Sequence, residues 1–467
     1  MDLPYRVLAP GEAPPSDTVA PPRRPRWSDT LAYIVDPDQF CRQNLARHGP
    51  IFQTGVFGGT TVFVGDPAAI QMAFNGDGIY TEIGLPPTTM AMFGEYSLFQ
   101  RPDLHRQRKA ALRPGFTGTL LSTYVPHMHR VIAHHLQTWS AAAPLALVPA
   151  VEKISFDVLA PLLLGIPFDQ GDLALQGLPI ASKAELKRLY KTFFDGFYGL
   201  VKWRSLLTAF GRGYKARETL INFMRAVIQR RKANPEPEPE PTDFLGMMLA
   251  EQQAEPDGVF SNNLIENQCL LQLWASHYEV TGLAASWLYQ MGQYPAIVER
   301  LRIEQAQVMG NNPFDEVTPA TLKQMPYLEA TIKETLRVLP PSSTATRRLT
   351  QSVILDGVHY QKGWSLIAEP RIAHAMAAHF TNPDQFDPDR FLPDRDEGRP
   401  NEFIPFGGGV HACLGAQLAM TLMKILALHL LNRFDWQGLG TATFVQFPLK
   451  QIKNDYQIQL MSRSTER

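Results

Sequence analysis

The stretch Phe403-Ile-Pro-Phe406-Gly407-Gly408-Gly409-Val-His411-Ala-Cys413-Leu-Gly415 constrains this chain more than any other part of it. A single cysteine stands at a glycine-rich turn that opens into an apolar helical run over 414–432. A lone buried cysteine is usually just a small hydrophobe. Here unpaired N–H groups and the positive end of the helix favour its thiolate. Three successive glycines let the backbone approach something flat and bulky. That combination suits an axial thiolate on haem iron, which donates electron density and promotes O–O cleavage. His411, two residues upstream, is placed to reach a haem carboxylate. Iron–sulfur and zinc sites are poorer readings, because no other cysteine is nearby.

The rest of the chain has to build a large body around that turn. Of 467 residues, 45% are hydrophobic and 19% charged, which supports a sizeable core and excludes a mostly disordered or fibrous protein. With 44 Lys and Arg against 45 Asp and Glu the net charge is −1, so no nucleic-acid partner is expected. Cys41, Cys269 and Cys413 cannot make a disulfide framework and suit a reducing, cytoplasmic setting. The N-terminus lacks the pattern of a signal peptide. No run of about 18 uncharged apolar residues occurs, so no transmembrane anchor is expected. Association with a membrane surface is left open.

Along the chain, 1–26 reads as an extended Pro-rich lead-in and 27–467 as a single domain. Helix is expected over 27–48, then two short strands around Gly58-Gly59. From 104 to 232 the spacing is mostly helical, broken by Pro114, Pro126, Pro144 and Pro167. The run Pro235 to Pro241 reads as an extended connector rather than a boundary, because the chemical signals beyond it make a site too small to stand alone. A long apolar helix follows over 264–289, a buried spine. Another helix is expected over 318–339, then strand pieces around 344–368 and a polar loop over 381–405. The fold class is mainly α with small β-sheets, and no repeat is visible.

Phe406, Gly409, His411, Cys413 and Gly415 fill every fixed position of the cysteine signature Phe-x-x-Gly-x-His/Arg-x-Cys-x-Gly, and here the chain resembles the cytochrome P450 family. The resemblance covers roughly 30–460. It implies a cytochrome P450 fold, with haem b lying between a long distal helix and the loop of Cys413. Glu334-Thr-Leu-Arg337 is similar to the family's Glu-x-x-Arg motif, and the resemblance implies that the pair bonds Arg390 as scaffold. His105 matches a haem-carboxylate contact, with Lys109 where Arg is usual; Lys offers a point charge without the bidentate fork. Arg347 stands where the family places another such arginine, with Arg348 beside it.

The family's Ala/Gly-Gly-x-Asp/Glu-Thr segment is altered here to Ala275-Ser-His277-Tyr278-Glu279-Val-Thr281. In one register Tyr278 replaces the acid and Glu279 the threonine; in the other Glu279 is the acid and Val280 replaces the alcohol. Glu279 or Thr281 is expected to organise a substitute water chain, and a buried Glu279 to hold a proton near neutrality. The substrate implied is a hydrophobic small molecule, isoprenoid or polyketide-like, by similarity to the soluble cyanobacterial, retinoid- and sterol-modifying branch. Candidate lining residues are Met90, Met92, Phe93, Phe194, Phe197, Ala275, Ser343 and Thr344. No flavin or nicotinamide domain is seen, so electrons are expected from a ferredoxin or flavodoxin and its reductase, serving a monomer. The reading is a monooxygenase that hydroxylates or epoxidises its substrate with dioxygen. Competing with it are a peroxide-driven peroxygenase or haem-thiolate isomerase, and a non-enzymatic haem sensor or ligand carrier.

Overall fold

The apolar run around 264–289 becomes a 32-residue helix, Asn262–Gln293, longer at both ends than its hydrophobic pattern. The Ser261 side chain accepts from the Leu264 amide and starts it. Apolar on most sides, this long helix must be enclosed by other helices. Leu147–Leu164 packs along it, and Ala209–Ala233 packs against it as well. Lys183–Gly196 lies on Ala209–Ala233 at the glycine pair Gly196 and Gly213; a Cβ on Gly196 would sit 2.7 Å from the Gly213 Cα. Gly118–Gln137 packs on Ala416–Arg433, the helix that follows Cys413.

The computed structural model describes residues 5–99, 102–199, 201–234, 241–310, 317–342, 345–447 and 449–463. The expected connector, apart from Pro241, lies outside the described residues, as do Ser343 and Thr344. Helices from both sides of that connector contribute to one large apolar cluster.

Prolines did not act uniformly. Pro37 splits the helix expected over 27–48 into Asp29–Val35 and Pro37–His48. Pro326 does the same over 318–339, giving Pro319–Lys323 and Pro326–Val338. Both prolines open a new helix, where the missing N–H costs nothing. Pro126, expected to break its segment, is inside Gly118–Gln137.

The sheets are small. The largest has five strands in the order Ile51–Thr54, Thr61–Val64, Ser365–Ala368, Ala345–Leu349, Thr81–Ile83. Its first pair is the hairpin around Gly58-Gly59, and only Thr61–Val64 with Ser365–Ala368 is parallel. Tyr5–Val7, from the Pro-rich start, pairs antiparallel with Val353–Leu355. Among the described residues no helix is long and apolar enough to cross a membrane.

Candidate active site

The loop before Ala416–Arg433 is closed by its own backbone: the Cys413 amide donates to the Phe406 carbonyl at 2.8 Å. Gly409 has φ +63°, and a Cβ there would come within 2.6 Å of the Phe74 carbonyl oxygen. A Cβ on Gly408 would overlap the Phe74 ring. The flat group that these two glycines admit is therefore the Phe74 side chain and backbone, at the end of helix Pro67–Asn75. Gly415 has no such constraint; its N–H faces the Cys413 sulfur.

Of the three cysteines, Cys41 and Cys269 are buried, and Cys413 alone is accessible. Its sulfur is nonetheless largely surrounded by protein. Burial pushes the thiol up and the Glu279 carboxylate adds to this, against the Gly415 N–H and Lys109. The helix end and its amides, expected to favour the thiolate, are thus outweighed in the protein alone; a cation at the sulfur has to supply the difference.

Around the loop gather the polar residues expected at a haem carboxylate. Lys109 Nζ donates to the Val410 and Ala412 carbonyls, at 2.6 Å each. His105, one turn earlier on Pro102–Leu112, sits between the Leu98 and Val410 carbonyls at 2.6 and 2.8 Å. Both side chains therefore secure the cysteine loop, beside the place where a haem-carboxylate contact is expected of them. Arg347 and His411 differ. Arg347 is buried in its strand while Arg348 is exposed, which resolves the register between them. Arg347 Nε and His411 Nδ1 are buried with no hydrogen-bond partner among the described residues. Burial lowers Arg347 to about 10, against the charge of Asp77. Burial, His105 and Arg347 lower His411 to about 4, against the Asp77 carboxylate 3.0 Å from its Nε2. Asp77, in an unremarkable Gly-Asp-Gly turn, carried no signal in the sequence.

Behind the loop, Glu334, Arg337 and Arg390 meet in full burial. Glu334 accepts from Arg337 Nε and Nη2 at 2.7 and 2.8 Å, and from Arg390 Nε at 3.1 Å. Arg390 also pairs with Glu397 at 2.7 Å, a fourth member without a sequence signature. The remaining guanidinium protons go to the carbonyls of His374, Thr381, Pro383 and Gln385. His374 links the cluster to the loop: its Nδ1 lies 3.2 Å from the Arg337 carbonyl and its Nε2 accepts from the Ile404 amide at 3.0 Å. Burial and the Arg337 charge hold it neutral, down to about 3.

On the long helix, Ala275 is exposed and Glu279 half-buried, one turn apart, although the helix runs through the protein's middle. The Glu279 carboxyl has no hydrogen-bond or ion-pair partner among the described residues, and burial lifts it to about 8. It lies within electrostatic reach of Cys413 and of Tyr198. Thr281 does not join it. That hydroxyl is buried, donates to the His277 carbonyl at 2.8 Å and lies 2.7 Å from Ser155 Oγ. His277 Nδ1 meets the same Ser155 at 2.8 Å, so both residues turn to helix Leu147–Leu164 and away from Glu279. Tyr278 packs its ring 4.4 Å from Phe194.

Three of the expected lining residues, Phe93, Phe194 and Phe197, converge on an aromatic cluster centred on Trp274, a residue to which the sequence assigned no role. Phe197 stacks on Trp274 at 4.2 Å, and Phe93 meets it edge-on at 5.4 Å. Phe93 also touches Phe197 at 4.8 Å. Met92 is buried against Gly196, and Met90 is half-buried. A single aromatic at 274, in an already apolar helix, was indistinguishable from core.

A model of the family described as Cytochrome P450 matches residues 21–455. The chain is a cytochrome P450. It is 30% identical over 456 residues to cytochrome P450 120 of Synechocystis sp., covering 96% of this chain and 97% of that protein. It is 26% identical over 453 residues to cytochrome P450 26C1 of Homo sapiens, covering 90% and 83%. A solved structure of a retinoic-acid-bound cyanobacterial CYP120A1 superposes with a TM-score of 0.83 at 29% identity, covering 96% of this chain and all 100% of that one. Membership makes this P450 a haem oxidoreductase of the monooxygenase class, with haem b on a cysteine thiolate. The residues fit that group: an accessible thiol, and two buried nitrogens, Arg347 Nε and His411 Nδ1, without a hydrogen-bond partner among the described residues.

Proposed function

We propose that this P450 oxidises a neutral, apolar isoprenoid-like molecule with dioxygen, using Cys413 as the iron ligand and Glu279, within its electrostatic reach, as the proton-holding group. Bound haem supplies the redox chemistry that activates an oxidant for insertion into a C–H or C=C bond. Arg347 would pair a haem carboxylate through its orphaned Nε, and His411 would donate to one from Nδ1 once that added negative charge has raised it enough to carry a second proton beside the one facing Asp77. His105 and Lys109 hold the cysteine loop in register with them.

The supporting observation is the unpartnered Glu279 carboxyl within reach of Cys413. Lifted to about 8 by burial, it keeps a proton at neutral pH and can release it to a neighbouring oxygen atom or water. The aromatic group of Phe93, Phe197 and Trp274 excludes water and offers flat surface to rings or polyenes. The relative whose structure contains retinoic acid makes a retinoid-like skeleton the first class to test. With its proton on, Glu279 can donate to an alcohol or aldehyde oxygen, and only above about 8, where it ionises, would a substrate carboxylate meet like charge. Electrons would come from a ferredoxin or flavodoxin and its reductase.

The second reading is use of a peroxide, and one observation favours it: Thr281, expected as an organiser of a substitute water chain, is committed to Ser155 and His277. Turnover of a retinoid and terpenoid panel, with products read by mass spectrometry, separates the two. Product with oxygen and reduced ferredoxin but not with peroxide supports the first; the reverse result rejects it. Beneath both, the reduced protein with carbon monoxide must show the strongly red-shifted Soret band of thiolate-bound haem, and Cys413→Ser must lose it.

A further inference from the structure

A carbonyl inside a helix accepts from the amide four residues on and keeps a second lone pair free. On the long helix, Tyr278 uses both. Gln451 Nε2, 173 residues away in sequence, donates to the Tyr278 carbonyl at 2.9 Å. The bond falls on the peptide that carries Glu279. The Tyr278 carbonyl and the Glu279 amide belong to one planar unit, so a group that holds the carbonyl also sets the Cα from which the Glu279 side chain leaves.

Gly282, one turn on, makes room for this contact. A Cβ there would sit 3.2 Å from Gln451 Cγ, 3.3 Å from its Nε2 and 3.4 Å from Pro341 Cβ. Glycine weakens a helix relative to alanine, and Gly282 is buried within one. What it admits there is the close approach of Gln451 and Pro341.

Gln451 is itself held from behind. It lies on the strand Gln451–Ile452, paired antiparallel with Phe444–Val445, and the Lys453 amide donates to the Thr443 carbonyl at 2.9 Å. The Lys450 amide donates to the Pro341 carbonyl at 2.9 Å, and Lys450 Nζ to Asp38 at 2.6 Å. Asp38 also accepts from Arg371 Nε at 2.8 Å. Phe447, between the two strands, lies 5.8 Å from Tyr198, whose hydroxyl feels the Glu279 charge. One anchored hairpin therefore borders Glu279 on two sides.

We propose that Gln451 is a positioning residue for Glu279: its amide, drawn in beside Gly282, fixes the Tyr278–Glu279 peptide and thereby the direction of the unpartnered carboxyl. The inference rests on the reading of Glu279 as the proton-holding group. It brings the hairpin into the chemistry through one hydrogen bond, without requiring Gln451 to touch substrate. Losing the donor releases that peptide, and the carboxyl, which no side chain among the described residues anchors, turns toward water.

The test uses the full-length holoprotein and two variants that act from opposite sides of the contact. Gln451→Met keeps the length and removes the donor; Gly282→Ala keeps Gln451 and displaces it. The first readout is independent of turnover: the infrared band of the protonated Glu279 carboxyl, identified by its loss in Glu279→Gln and followed against pH. Burial sets its midpoint at about 8 in the parent, with Tyr198 and Cys413 the titratable groups in its electrostatic reach among the described residues. Both variants should move that midpoint down toward the ordinary 4.5 and carry the alkaline fall of the pH–rate profile with it. The value of kcat should drop about tenfold with KM changed less than about twofold, while the melting temperature and carbon monoxide spectrum stay near the parent's. The double variant should add little to the larger single effect, because both changes break one contact. An unshifted band and profile in both variants overturn the proposal, as does a fall in melting temperature and kcat at an unchanged midpoint, the mark of a merely structural bond. If Gln451→Met does not fold, Gly282→Ala, which gains helix propensity, carries the test. If Glu279→Gln keeps full turnover, the proton-holding reading fails, and the infrared midpoints still decide whether Gln451 places the carboxyl.

Discussion

Glu279 and Thr281 are two residues apart and do different things. Glu279 is unpartnered among the described residues; Thr281 ties two helices together. A group lifted to about 8 from its ordinary 4.5 binds its proton more tightly in the folded state than in the unfolded one. The stability associated with that proton is therefore complete below about 4.5 and is lost as pH rises through 8. Glu279→Gln should raise the melting temperature at pH 9 and do so less at pH 5, read by thermal denaturation. As a proton-holding group its loss should also cut kcat by about 10²-fold and remove the alkaline fall in the pH–rate profile. Thr281→Val should cost about 1 kcal/mol in stability and leave the fraction of reducing equivalents reaching product unchanged. A large rise in released peroxide from the Thr281 variant would return Thr281 to the chemistry.

At the scale of elements, the cysteine loop is held from two sides. Helix Pro102–Leu112 grips its carbonyls through His105 and Lys109, and helix Pro326–Val338 supports it through Glu334, Arg337 and His374. Glu334 balances two guanidinium groups in a site excluded from water. Glu334→Gln keeps the shape and removes the charge, leaving buried cations uncompensated at a cost of about 3–5 kcal/mol. Reduced haem content and a lower urea midpoint should follow, measured by pyridine-haem absorbance and denaturation. The motif was legible because its residues sit one turn apart in an apolar helix. Glu397 and His374 were not, because only the return of the 374–404 segment brings them there.

For the whole molecule, the Pro-rich start is part of the structure. Arg23 Nη1 donates to Asp29 at 2.8 Å and to the Gln53 carbonyl at 2.9 Å, and Gln53 Nε2 donates to the Pro21 carbonyl at 2.8 Å. Burial pushes Asp29 up, but the hydrogen bonds from Arg23 and the Gly55 and Arg26 amides outweigh it and hold the carboxyl below its usual range. That stability is present above 3.8 and is lost as pH falls through the lowered value. Removing residues 1–26 should lower the melting temperature clearly at pH 7 and by less near pH 2, below the window in which Asp29 is ionised. An equal loss at both would mean that the strand Tyr5–Val7, and not the ion pair, does the anchoring.

What one-dimensional pattern could settle was whatever depends on neighbours in the chain. The cysteine turn, the Glu334–Arg337 pair and the long apolar helix are all local, since backbone geometry alone puts their residues together. Folding in space was needed wherever the deciding contact crosses the molecule. Gly408 and Gly409 turn out to make room for Phe74, Arg347 rather than Arg348 faces inward, and Lys109 is committed to carbonyls some 301 and 303 residues away. Glu279 and Thr281 were equivalent as letters. Which one stays unpartnered depends on where Ser155 lies across the helix packing, and periodicity carries no record of that.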